Sequence, residues 1–184
     1  MSGVTLVGYR GCGKTTVARL VARHLGLQPI DADDVLEARA ARSIAALIAT
    51  DGEPAFRDLE SEVLVDLLAG PPAVLATGGG VVLREVNRAR LRSSGRPVIW
   101  LRADAATIRS RLAADPTTAA RRPGLTGPDP LAEVADTLAA REPLYAEVAD
   151  VAFDSAGDGP ERIAERIIEW LDSGCSDAAA ETAP

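Results

Sequence analysis

Apolar residues come in two rhythms along this chain. The short runs Val4-Thr5-Leu6-Val7, Ala73-Val74-Leu75-Ala76, Val98-Ile99-Trp100-Leu101 and Val151-Ala152-Phe153 read as buried strands. Gln28-Pro29-Ile30-Asp31 is a further extended piece that ends in an acid. Between these runs the apolar positions recur at helical spacing. Positions 17, 18, 20, 21 and 25 predict a helix that begins near Lys14, and 35, 36 and 38 predict another over 33–41. Ser43 opens a short helix over 44–49, closed by Asp51-Gly52. A longer helix over 53–69 has apolar positions at 56, 59, 63, 64, 67 and 68, with Pro54 harmless in its first turn. Further helices are expected over 84–92, 105–113, 131–148 and 163–171. Strands alternating with helices predict an α/β fold, a parallel sheet of five strands covered on both faces. Periodicity is lost between 114 and 129, where Asp, Pro, Thr, Gly and adjacent Arg121 and Arg122 predict a mobile loop. Beyond Ser173 the small, polar tail is expected to be disordered.

The first strand runs into Gly8-Tyr9-Arg10-Gly11-Cys12-Gly13-Lys14-Thr15, which matches G-x-x-x-x-G-K-[ST]. Glycines at 8, 11 and 13 let the backbone turn so that several N–H groups face one anion. The following helix adds the positive end of its dipole. Lys14 can reach the β- and γ-phosphates of a nucleoside triphosphate, and the Thr15 hydroxyl can take a place on Mg²⁺. Lys14 is the only lysine in the chain; every other basic side chain except His24 is arginine. A compact ammonium suits a phosphate cradle where a planar guanidinium fork does not.

In such sheets ligands gather at the carboxyl ends of the strands. Asp31 and Asp33 follow the second strand, where one carboxylate can order the waters of a metal and the next can orient a hydroxyl and accept its proton. A helix N-cap and first-turn acids explain the same residues, Asp33 and Asp34 included. Thr77-Gly78-Gly79-Gly80 follows the third strand. Three successive glycines are costly to order unless a ligand must approach the main chain, although a turn alone accounts for one of them. Arg57 stands three residues before Glu60, on one helical face, so a solvent-exposed ion pair is the plain reading. The same applies to Arg141. His24, the sole histidine, ends the first helix, where it complements the dipole.

Composition narrows the setting. At 184 residues one domain is the default, and a net charge of −7 argues against nucleic acid and acidic membrane as partners. No apolar run approaches transmembrane length, and the N-terminus carries no signal-peptide pattern. Two cysteines far apart form neither a disulfide framework nor a metal-ligand spacing, which fits a reducing cytoplasm.

Taken together, the motifs resemble the shikimate kinases. The resemblance rests on the phosphate loop, Asp31-Ala32-Asp33, Ser43-Ile44, Asp51-Gly52-Glu53 with Phe56-Arg57 and Glu60, Gly78-Gly79-Gly80, Arg122-Pro123, and Arg141 with Pro143-Leu144-Tyr145. It covers residues 3–171 in the family's order and spacing. It implies a P-loop kinase fold, nucleoside monophosphate kinase-like, with sheet order 2-3-1-4-5. It also implies a single domain over 1–172, with a substrate-binding helical insertion at about 33–62 and a lid at about 114–126. The implied reaction is ATP-dependent phosphorylation of the 3-hydroxyl of shikimate, with Mg²⁺, by a cytoplasmic monomer. Asp33 is the implied base, with Lys14 and Arg122 the other catalytic groups. Gly11, Cys12, Gly13, Lys14, Thr15, Thr16 and Arg122 are implied for the nucleotide, and Thr15 with Asp31 for the metal. Arg57 and Arg141 are implied to grip the shikimate carboxylate, with Glu60 bracing Arg57 and Gly78, Gly79 and Gly80 meeting the ring hydroxyls.

Three departures stand out. The lid has Gly124-Leu125 after its proline, where the family commonly has two leucines. Ala114-Asp115-Pro116 lacks the arginine that some members place against adenine, with Arg111 nearby, and Ser155-Ala156-Gly157-Asp158 has no basic residue. The competing readings are a gluconate kinase-like enzyme and a nucleotide-binding regulator that has lost phosphotransfer. Intact Lys14, Asp31 and Asp33 speak against the second.

Overall fold

A computed structural model describes residues 3–114 and 130–174. The expected lid beyond Ala114, with Arg121 and Arg122, lies outside the described residues, as do residues 175–184 of the expected tail.

The strands are β1 (Val4–Val7), β2 (Gln28–Asp31), β3 (Ala73–Ala76), β4 (Val98–Arg102) and β5 (Val151–Asp154). They form one parallel sheet in the order β2-β3-β1-β4-β5. Both the parallel sheet and its order agree with expectation. The helices are α1 (Lys14–Leu25), α2 (Ala32–Ala40), α3 (Ile44–Ala69), α4 (Glu85–Ser93), α5 (Ala105–Ala114), α6 (Pro130–Val148) and α7 (Pro160–Asp172). The expected break after Asp51 is a kink within α3, where Gly52 takes φ 85° and ψ 167°. A single 3-10 turn, Val81–Leu83, follows the glycine run and was not anticipated.

Alternation along the strands sorts the core. Leu6, Val74, Ala76, Ile99, Leu101 and Phe153 face α1 and α7 with Val17, Val21, Ile163 and Ile167. Val7, Val98 and Trp100 face the other way, against Leu64 of α3, Leu91 of α4 and Tyr145 of α6. A separate small cluster of Leu36, Ile44, Leu47, Phe56 and Val63 lies between α2 and α3. With few aromatics available, β-branched and leucine side chains close both faces, as expected of strands buried on two sides. Among the described residues no helix is long and apolar enough to cross a membrane.

Candidate active site

The phosphate loop leaves β1 and enters α1 through backbone that L side chains rarely adopt. Gly13, the residue before α1, has φ 94°, and no side chain caps the helix there. A Cβ on Gly13 would meet nothing within 4 Å, so the requirement for glycine is conformational rather than steric. The first-turn N–H groups and the helix dipole are thereby left for an anion. Lys14 is buried, and its Nζ donates to the carbonyls of Gly8 and Tyr9, each at 2.8 Å, with Cys12 Sγ at 3.6 Å. The ammonium therefore ties the loop to itself. Cys12 is buried, while Thr16 is exposed at the outer side of α1.

Asp31 has two roles in the structure. Its Oδ1 accepts from the Asp33 N–H at 2.9 Å, which makes Asp31 the N-cap of α2, with Asp33 and Asp34 in the first turn. Its Oδ2 accepts from Thr15 Oγ1 at 2.7 Å, joining the start of α1 to the end of β2. The capping reading of this acid pair thus holds in a changed form: Asp31, rather than Asp33 or Asp34, is the cap. The hydroxyl and carboxylate offer hard oxygen donors of the kind Mg²⁺ takes. Among the described residues no group of three or more His, Cys, Asp or Glu gathers to hold a metal.

Arg57 is only partly exposed. Its side chain is 12% exposed and that of Glu60 6%, with Nη1 to Glu60 Oε2 at 2.7 Å and Nη2 to Glu53 Oε1 at 3.0 Å. The solvent-exposed pair anticipated as the plain reading is therefore corrected: the folding of α3 against Gly80 buries it. Burial opposes the guanidinium charge, but Glu60 and Glu53 outweigh it and raise the Arg57 pKa above its ordinary value. A methyl group added to Gly80 would overlap that guanidinium, which would have to shift aside, so the two groups lie in direct contact.

The glycine run Gly78-Gly79-Gly80 is buried and lies against the phosphate loop; a Cβ on Gly79 would stand 3.0 Å from the Arg10 nitrogen. Arg141 of α6 reaches the same turn, with Nη1 3.3 Å from the Gly79 carbonyl and its guanidinium over the Tyr9 ring at 5.4 Å. The structure thus gathers Lys14, Thr15, Asp31, Asp33, Arg57, Glu60, the glycines and Arg141 at the carboxyl edge of β1, β2 and β3. Arg122 falls outside the described residues.

Two residues were given no role in the sequence. Tyr145 donates to the Gly79 carbonyl at 2.5 Å and is fully buried; at its helical position it reads as ordinary core. Arg111 of α5 donates to the Gly11 carbonyl at 3.3 Å and to Ser155 Oγ at 3.1 Å. The turn after β5 has no basic residue of its own, and α5 supplies one from 44 positions away. No spacing rule could reveal that pairing.

A 2-3-1-4-5 parallel sheet with a glycine-built anion loop at the end of its central strand is the architecture of the phosphate-loop kinases. The sequence model of one kinase family, described as Shikimate kinase, matches residues 10–172. A shikimate kinase of Rhodopirellula baltica is 41% identical over 173 residues, which cover 94% of this chain and 92% of that protein. Shikimate kinase 2 of Yersinia enterocolitica is 44% identical over 168 residues, 91% of this chain and 94% of the relative. The solved structure of the Acinetobacter baumannii shikimate kinase in complex with shikimate superposes with a TM-score of 0.88 at 32% identity, covering 95% of this chain and 94% of that one. The chain belongs to the shikimate kinase family.

Replacing Asp31 by Ala removes both the α2 cap and the acceptor for Thr15. Urea unfolding without nucleotide should show a loss of about 1 to 2 kcal/mol, the upper range for a helix cap. Unchanged stability would mean that neither bond holds in solution.

Proposed function

We propose that the protein transfers the γ-phosphoryl group of ATP to the 3-hydroxyl of shikimate, giving shikimate 3-phosphate and ADP, on the route to chorismate and the aromatic amino acids. The observation that carries the reading is the partly buried Arg57, held by the buried Glu60 beside Gly80 and next to the phosphate loop. A desolvated guanidinium with two carboxylates fixing its fork is suited to a small anionic acceptor.

Phosphoryl transfer asks the protein chiefly for position and charge. The α1 N-terminus and the loop N–H groups hold the phosphates, and Lys14 adds its charge from the same loop. Thr15 and Asp31 would hold Mg²⁺, which would supply charge neutralisation for the transferring phosphoryl group. Arg57 and Arg141 bind the acceptor carboxylate. Asp33, in the first turn of α2, orients the acceptor hydroxyl and accepts its proton. Arg122 is assigned to the phosphates from a lid over 114–126. The reading treats residues 1–172 as one domain with an acceptor-binding helical insertion at 33–62, acting as a cytoplasmic monomer.

The direct test is ADP release from Mg-ATP with shikimate, with gluconate and with no acceptor. Turnover with shikimate well above both controls supports the reading, and equal background rates in all three remove it. Asp33→Asn should lower turnover by about 10²- to 10⁴-fold while ADP binding is retained; near-normal turnover would take the base role from Asp33. Arg57→Ala should weaken shikimate binding by about 2–5 kcal/mol, because a desolvated charge pair loses one partner. Calorimetric titration checks this, and an unchanged affinity would leave Arg57 a purely structural residue.

A further inference from the structure

The Gly79 carbonyl is held from one side by two residues of the same helix. Arg141 and Tyr145 lie one turn apart on α6, four residues in sequence, and so share a face. Both donate to that single oxygen, Tyr145 at 2.5 Å and Arg141 at 3.3 Å. The Tyr145 ring is itself fixed, stacked on Trp100 of β4 with centroids 5.7 Å apart. A phenol on α6, braced against Trp100 of β4, thus sets the direction of one peptide bond in the glycine run.

That peptide joins Gly79 to Gly80. No cis peptide bond occurs among the described residues, and in a trans peptide the carbonyl and the following N–H point in opposite directions. Fixing the Gly79 oxygen toward α6 therefore turns the Gly80 N–H away from α6, within the turn that the Arg57 guanidinium borders. Glycine backbone on both sides of this bond would otherwise be free to rotate. We propose that Tyr145 is a positioning residue for the acceptor site: its hydroxyl locks the Gly79–Gly80 peptide so that the Gly80 N–H is presented to the bound acceptor. Burial pushes the phenol pKa upward, against the pull of Arg141, so the donor stays protonated throughout the working pH range.

The inference rests on the acceptor reading above, and ADP release by the unaltered enzyme tests that reading separately. Tyr145→Phe keeps the ring and its stacking and removes only the donor. It should raise the KM and the Kd for shikimate about three- to tenfold, the worth of one hydrogen bond, with the Kd for ADP unchanged. Equal weakening of both ligands in Tyr145→Phe, or unchanged shikimate affinity, would overturn the proposal. The unaltered protein gives a readout that needs no variant. Its Gly80 amide resonance should move when shikimate is added to the ADP-bound protein, and an unmoved resonance would also overturn the proposal.

Discussion

The parallel pairing of β3 with β1 is the constraint on which the site depends. Val4, Thr5 and Leu6 lie opposite Val74, Leu75 and Ala76, so both strands end together and release their glycine turns side by side. Thr77 secures the junction: its N–H and its hydroxyl both donate to the Leu6 carbonyl, at 3.1 and 3.0 Å. The close approach of Gly79 to the phosphate loop follows from this register. A Cβ on Gly79 would require the phosphate-loop backbone at Arg10 to give by a few tenths of an ångström.

Around that junction the charges are arranged by burial. Lys14 satisfies its ammonium on loop carbonyls, and Arg57 satisfies its guanidinium on Glu60 and Glu53. Charges taken out of water must be paired or hydrogen-bonded, and both are. On α4, Arg88 and Arg92 share the exposed carboxylate of Glu147, a pairing worth little. Arginine is common throughout this chain, so its presence alone marks nothing. Its burial does.

Much of the fold was legible because strand and helix periods differ and the turn residues are explicit. The continuous runs of β1, β3 and β4 and the helical spacings were read within a few residues of their bounds. The short turn at Val81–Leu83 was missed because three residues carry no period. Of the site, the phosphate loop and the acids after β2 were visible as local patterns. The depth of Arg57 was not, since its i,i+3 spacing to Glu60 is the same in a buried and an exposed helix. Arg111 against Ser155 was hidden for the opposite reason: the pair has no local pattern at all.

By itself, the sequence determined the local chemistry. Glycines that permit a positive φ, one lysine, and acids placed after a strand are properties of short segments, written in residue type and spacing. Tertiary structure alone decided which of these segments meet. Strand order brings the ends of β1, β2 and β3 together, and the packing of α3 and α6 onto that edge sets Arg57 beside Gly80 and Tyr145 on Gly79. Those contacts span tens of residues and depend on burial, a property that no single segment possesses before the chain has folded.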